Sequence, residues 1–379
     1  MIPKLPQPYI ETPAIDAEVF LRDQSPWVLI DVRAPVEFAQ GHIPGAISCP
    51  VLNDEERHQV GLTYKQQGQQ AAIDLGCALV WRDRAVRARE WIERAQGFCD
   101  QRGTGSLKLL VSCWRGGLRS QLAASWLAEL MPEVVRLNGG YKSLRGLLLN
   151  EIAAPHRMHV VSGMTGSGKT LLLHQLMNDA GFERSRIIDL EGLARHRGSS
   201  FGHGVGVDGQ RIVQPSQQYF ENELGILLHK RAKGPLVVED ESTLIGHVSI
   251  PHEFRNQMHA APVVVLEASL DDRVAITFQE YVVEPLERGC DVDALWKILA
   301  ENIAALERRF GGKDTAAALG FLEGGRGSPR LLSQQEAWIR ILLDRYYDRA
   351  YAKSLQLAER NVVFRGERRA CHEFLSSQI

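Results

Sequence analysis

No stretch of this 379-residue sequence stays apolar for the roughly 18 residues needed to cross a bilayer. The N-terminus, MIPKLPQPYIETPA, also lacks the hydrophobic centre of a secretory signal. A membrane partner is therefore not expected, and a cytoplasmic location is. The six cysteines, Cys49, Cys77, Cys99, Cys113, Cys290 and Cys371, form no CxxC pair and have no histidine nearby at ligand spacing. That argues against a structural metal and against a disulfide framework. Nor is there a surplus of one charge: 44 basic against 46 acidic residues leave a net −2, so a nucleic-acid partner must be held by local basic patches. Internal repeats and low-complexity tracts are absent as well. What remains is an ordinary folded composition, 44% hydrophobic and 24% charged, in a chain too long for one core. Two cores are the expectation.

Hydrophobic runs and breakers suggest where they lie. WVLIDV from Trp27 and LKLLVS from Leu107 read as buried strands of an α/β unit, residues 14–145, with a helix over Trp81 to Cys99. Between them GLTYKQQGQQ reads as a surface excursion. NEIAAPHR interrupts the pattern and suggests a linker at 146–157. A second α/β unit, 158–332, follows with the strand candidates MHVVSG, RIIDL, PLVVED and APVVVLEA. The last part, 333–379, opens with the capping box Ser333 to Glu336 and reads as a helical C-terminal extension.

The first unit carries Cys113, Trp114, Arg115, Gly116, Gly117, Leu118, Arg119, Ser120 at a strand-to-helix turn. Small residues expose backbone N–H groups, a helix begins, and Arg115 and Arg119 add positive charge. Such a surround favours an anionic sulfur and cradles a tetrahedral oxyanion, so Cys113 is read as a nucleophile. The other five cysteines lack it and are read as structural. DVRAPVEFAQGHIPGA (Asp31 to Ala46), this loop and NGGY (Asn138 to Tyr141) resemble rhodanese domains. That resemblance implies a cysteine that carries sulfur or selenium. Five residues separate Cys113 from Arg119, one more than in the short sulfurtransferase loop and equal to the loop of related dual-specificity phosphatases. A wider cradle admits a phosphate-like donor and leaves a phosphatase or arsenate-reductase reading open for the isolated domain. Asp31 and Glu37 read as fold-specifying residues.

The second unit holds Gly163, Met164, Thr165, Gly166, Ser167, Gly168, Lys169, Thr170, a full G-x-x-x-x-G-K-[ST] between strand and helix. Backbone N–H groups there close on phosphate oxygens, Lys169 neutralises them, and Thr170 can reach Mg²⁺. The pattern fits a P-loop NTPase-like parallel sheet but leaves the ligand unnamed. Glu239, Asp240, Glu241 and Ser242 follow a strand where a Mg²⁺ carboxylate belongs, with Glu239 and Asp240 as the candidates beside Thr170 and a solvated strand end as the alternative. RGSSFGHGVG is long and polar for a turn, and Arg197, Gly198, Ser199 and Ser200 read as part of a substrate loop.

Taken together, the rhodanese-like unit, the P-loop, HRGSSFG, QPSQQYFEN, VVEDES and YYD resemble the tRNA 2-selenouridine synthase family over nearly the whole chain. Two positions depart from it: Thr243 and Arg349 stand where the family usually has arginine and proline. The resemblance implies replacement of sulfur by selenium at wobble 2-thiouridine of Lys, Glu and Gln tRNAs. It further implies selenophosphate and geranyl diphosphate as co-substrates, no required nucleotide, Cys113 as selenium carrier, and a selenophosphate-producing enzyme as a further partner. For the tRNA, Arg345, Arg349 and Lys353 recur every four residues on one helical face. A solvated charged face over a tyrosine-lined core is the other reading. The rival enzyme class is an ATP-dependent kinase or NTPase with a regulatory rhodanese module, which predicts nucleotide turnover and a dispensable Cys113. A non-enzymatic scaffold would leave both loops unreactive.

Overall fold

A computed structural model of the chain describes residues 9–23, 25–103, 107–199, 202, 204–349 and 360–378. It contains two compact units, Met1–Glu151 with Glu221–His229, and Ile152–Phe220 with Lys230–Ile379.

The first unit is built on a five-stranded parallel sheet of β1 (Ala14–Ile15), β2 (Trp27–Asp31), β3 (Ile47–Ser48), β4 (Lys108–Ser112) and β5 (Val134–Leu137), in the order β1-β5-β4-β2-β3. Alternation along the strands explains their unbroken apolar runs. Val28, Ile30, Leu109 and Val111 face one core with Trp91 and Trp126, whereas Leu29 and Leu110 face another with Leu137, Leu144 and Leu148. The excursion around GLTYKQQGQQ lies at the surface as expected and is helical, as Asp54–Gln67 and Gln69–Val80, with an Asn53–Glu56 capping box starting the pair and Gly68 dividing it. One expectation fails here. The supposed linker begins inside the helix Gly140–Ala153, because Leu144, Leu148 and Ile152 continue one buried stripe at spacing four.

The second unit has its own parallel sheet, of β6 (Met158–Ser162), β7 (Ile187–Ile188), β8 (Leu236–Glu239), β11 (Val263–Leu266) and β12 (Val362–Gly366), ordered β12-β11-β6-β8-β7. The hairpin β9 (Leu244–Ile245) and β10 (Val248–Ser249) stands apart from it. A helical layer around Trp296 and Trp338 forms a separate core. The C-terminal residues are not only a helical extension. β12 completes the sheet edge against β11, and the helix Arg368–Ser377 buries Cys371 and Leu375 against Leu172, Leu173 and Leu176. The helix before it starts at Leu332, ahead of Ser333, and no side chain caps it. Gln335, expected inside the capping box, is buried instead, donating to Gly325 O and accepting from Trp338 Nε1.

Since Leu375 is a core residue, Leu375→Ala is expected to destabilise this unit by about 2–5 kcal/mol. Denaturant unfolding checks it, and a loss within about 0.5 kcal/mol would return the tail to the status of an appendage.

Candidate active sites

In the first unit β4 delivers Ser112 opposite Asp31 of β2, and Cys113 follows at the strand end. The chain then turns into the helix Leu118–Ala128. Among the described residues, no backbone N–H from Trp114 to Arg119 donates to a backbone carbonyl, so the loop presents its donors to whatever enters it. NGGY forms the loop's back wall: Tyr141 N donates to Cys113 O at 2.8 Å and Lys142 N to Trp114 O at 3.0 Å. Gly140 is required there, since a Cβ would lie 2.3 Å from Cys113 O at a φ of +60°.

Cys113 is 3% exposed, and its thiol donates to Ser120 Oγ at 3.2 Å. Ser120 Oγ in turn donates to Gly117 O at 2.9 Å. Arg119 makes two hydrogen bonds to Glu37, of 2.5 and 3.2 Å, and Glu37 also accepts from Ala34 N. Burial works against a charged Glu37, but the Arg119 guanidinium outweighs it and holds the carboxyl below its ordinary range. Asp31 is bonded to the buried Arg33, whose guanidinium lies 3.9 Å from the Tyr141 ring centre. Both acids therefore fix guanidinium groups, Asp31 that of Arg33 and Glu37 that of Arg119. Arg115 and Trp114 are exposed at the loop tip, with Trp114 backed by the Tyr141 ring at 5.5 Å.

In the second unit the glycine-rich loop joins β6 to the helix Lys169–Asn178. Ser167 N–H is taken by Met164 O, whereas those of Gly166, Gly168 and Thr170 meet no backbone carbonyl among the described residues. Gly166 sits at a φ of +76°, where a Cβ would strike Thr277 Oγ1 at 2.8 Å. Like Gly163, it belongs to the loop wall of a cavity of ≈ 870 Å³. Leu342, Leu343, Tyr346 and Tyr347 also line this cavity, giving it an apolar wall. Two π-helical turns, Gln279–Val283 and Leu342–Tyr347, bring Glu280, Tyr281, Tyr346 and Tyr347 to it, a distortion that recurs at functional sites.

Thr170 Oγ1 donates to Glu191 at 2.9 Å and to Glu239 at 3.1 Å, and Lys169 Nζ lies 3.9 Å from Glu241. Oxygens of Glu191, Glu239 and Glu241 all fall within 4.8 Å of one another, a set that fits a hard divalent cation. Burial, then the charge of Glu241, pushes Glu191 up to about 8. Glu239 is raised well above its ordinary value by burial and then by Glu191. The expected partner Asp240 is turned elsewhere, accepting from Ser162 Oγ at 2.7 Å and Arg360 at 3.2 Å. Successive side chains at a strand end point to opposite sides, and Glu239 and Glu241 took the cluster side.

Arg197 pairs with Glu280 at 2.8 Å and Glu284 at 3.0 Å, while Ser199 Oγ meets Tyr281 OH at 3.0 Å. Gly198 lines the same cavity. Ser200 lies outside the described residues, as does Lys353. Arg345 bonds Asp314 at 2.8 Å, which ties it to a neighbouring helix, and Arg349 is exposed. Glu191, Glu280, Tyr281 and Arg273 had no local motif to reveal them. Arg273 donates to Thr165 O at 2.9 Å and grips Asp348 at 3.0 and 2.6 Å, tethering the phosphate loop to the helix bearing YYD.

Against known proteins, residues 156–379 match the family model of the tRNA 2-selenouridine synthase AAA domain, and residues 20–146 that of the rhodanese-like domain. A curated tRNA 2-selenouridine synthase of Alcanivorax borkumensis is 39% identical over 95% of this chain and 97% of its own length. One from Sulfurovum is 38% identical over 92% and 94%. No helix among the described residues is long and apolar enough to cross a membrane.

The raised carboxyls set a pH dependence. Each binds its proton more tightly folded than unfolded, where a glutamate titrates near 4.5. Their stabilising share is whole below that value and is lost as the pH rises through the folded one. In chelator, the thermal midpoint of the second unit is therefore expected to fall between pH 4.5 and about 8, and Glu191→Gln to flatten the fall. Equal profiles for wild type and variant would dismiss the shared protonation.

Proposed function

This chain belongs to the tRNA 2-selenouridine synthase family, and we propose that it converts wobble 2-thiouridine in tRNA to 2-selenouridine by S-geranylation followed by selenium exchange. The observation that carries this reading is a phosphate loop and an apolar wall lining the same cavity of the second unit, in a chain that also bears a cysteine anion loop.

In the first step the thiocarbonyl sulfur attacks the allylic carbon of geranyl diphosphate. The carbon–sulfur bond forms, the carbon–oxygen bond breaks, diphosphate leaves with the electron pair, and the base gives up its N3 proton. Lys169, with Gly163, Gly166, Ser167, Gly168 and Thr170 of the loop, receives the diphosphate. The wall of Leu342, Leu343, Tyr346 and Tyr347 suits a terpenoid chain and excludes water from it. Glu191, Glu239 and Glu241 with Thr170 would hold Mg²⁺, which when bound supplies positive charge for the departing diphosphate. Arg197, Gly198 and Ser199 border this space as a substrate loop.

In the second step selenium supplied by selenophosphate bonds C2 and geranylthiol departs. Alkylation makes the sulfur a far better leaving group, which is the reason for a geranylated intermediate. Cys113, Arg115, Gly116, Gly117 and Arg119 receive the selenophosphate anion. No nucleotide is needed in either step. The RNA partner is the set of Lys, Glu and Gln tRNAs, with Arg345, Arg349 and Lys353 as contacts to their phosphates and a selenophosphate-producing enzyme upstream.

Separated assays test the division of labour. Lys169→Ala is expected to lower geranylation by about 10²–10³-fold while leaving selenium exchange on pre-geranylated RNA intact. Cys113→Ser is expected to do the reverse. Nucleoside mass spectrometry reads both steps, and unimpaired geranylation by Lys169→Ala would remove the diphosphate assignment.

A further inference from the structure

We infer that Cys113 attacks the phosphorus of selenophosphate rather than its selenium, so that the first unit works as a phosphoryl acceptor that releases selenide onto the geranylated base. The inference rests on selenophosphate being the donor, as proposed above, and concerns how that donor is opened.

Electron counting is the first argument. Selenium in selenophosphate is already at the selenide level. Moving it to Sγ as a perselenide would require that two electrons pass to an oxidant or that phosphorus leave as phosphite. Attack at phosphorus requires neither. The Sγ–P bond forms, the P–Se bond breaks, and selenium leaves with the electron pair as hydrogen selenide. That selenide bonds C2, the C2–S bond breaks, and geranylthiolate takes up a proton. Water then cleaves the Sγ–P bond, returning the thiol and inorganic phosphate.

The loop supplies the second argument. Five residues between Cys113 and Arg119, with their N–H groups unclaimed by backbone carbonyls among the described residues, leave a loop of donors for the oxygens of a phosphoryl group. Arg119 is held by Glu37 through two hydrogen bonds, so the guanidinium keeps one orientation at the loop's end. Ser120 Oγ accepts from the Cys113 thiol at 3.2 Å and donates to Gly117 O, and by turning its O–H from that carbonyl to Sγ it would stabilise a sulfur leaving as thiolate when water resolves the phosphocysteine. Burial is the third argument. With Cys113 3% exposed, its sulfur lies at the loop floor, and C2 of a base on a folded RNA meets the exposed rim of Trp114 and Arg115 first. A released selenide can cross from floor to rim.

The full chain, incubated with selenophosphate labelled on phosphorus and quenched in acid, is expected to carry label on the Cys113 peptide without selenium's isotope envelope. Ser120→Ala is expected to raise the trapped fraction by roughly tenfold, because a hydrogen bond to the leaving thiolate is lost. Added hydrogen selenide is expected to restore selenium exchange to Cys113→Ser on geranylated RNA, above the rate without protein. Selenium on Cys113 without phosphorus would overturn the inference, as would no rescue together with no phosphorus label. Failure of the unaltered chain to form 2-selenouridine from selenophosphate would overturn the underlying reading of the donor.

Discussion

A parallel sheet delivers the last residue of every strand to one edge, and each turn back into a helix there leaves backbone N–H groups without carbonyl partners. Both units use this constraint for their chemistry. In the first, β4 ends at Ser112 and the N–H groups before the helix Leu118–Ala128 open onto Cys113. In the second, β6 ends at Ser162 and the glycine-rich loop opens onto the helix that begins at Lys169. The same geometry thus provides an anion cradle in each unit. Only the side chains added to each differ: a thiol and a fixed guanidinium in one, an ammonium and a ring of carboxylates in the other.

Those additions are held by charge pairs that cost desolvation and repay it in orientation. Glu37 holds Arg119, Asp31 holds Arg33, and Arg33 lies over the Tyr141 ring that backs the loop. In the second unit Arg273 couples the carbonyl of Thr165 to Asp348, so the phosphate loop and the helix carrying Tyr346 and Tyr347 share one anchor. Glu191, Glu239 and Glu241 run the opposite way: burial first, and then neighbouring carboxylates, raise the proton affinity of each. Such a cluster is stable when protonated and is equally ready to exchange its protons for a cation.

Substrate polarity follows from this arrangement. On the proposed reading, a diphosphate ester with an apolar tail needs both charge and hydrocarbon in its pocket, and the second unit's cavity is lined by Lys169 and by Leu342, Leu343 and the tyrosines. The proposed selenophosphate has no tail and would need only the loop of the first unit. Trp114 is exposed next to the buried Cys113 in sequence and leaves an aromatic face at the surface.

The sequence by itself determined whatever lies within one contiguous strand, loop and helix. The two anion loops, Cys113, Lys169 and Thr170, the strands that feed them and the membership in a tRNA 2-selenouridine synthase family were all legible, because a loop's donors and its following helix are encoded side by side. Tertiary structure decided the rest. Glu191 joins Thr170 and Glu239 across the sheet order β6-β8-β7, Arg119 finds Glu37, Arg273 finds Asp348, and β12 closes an edge that the tail's helical pattern concealed. It also chose Glu241 over Asp240 for the carboxylate cluster, since which of two adjacent acids faces inward depends on how the strand end leaves the sheet. Strand order and side-chain facing are set by packing between segments far apart in the chain, and no local pattern carries that information.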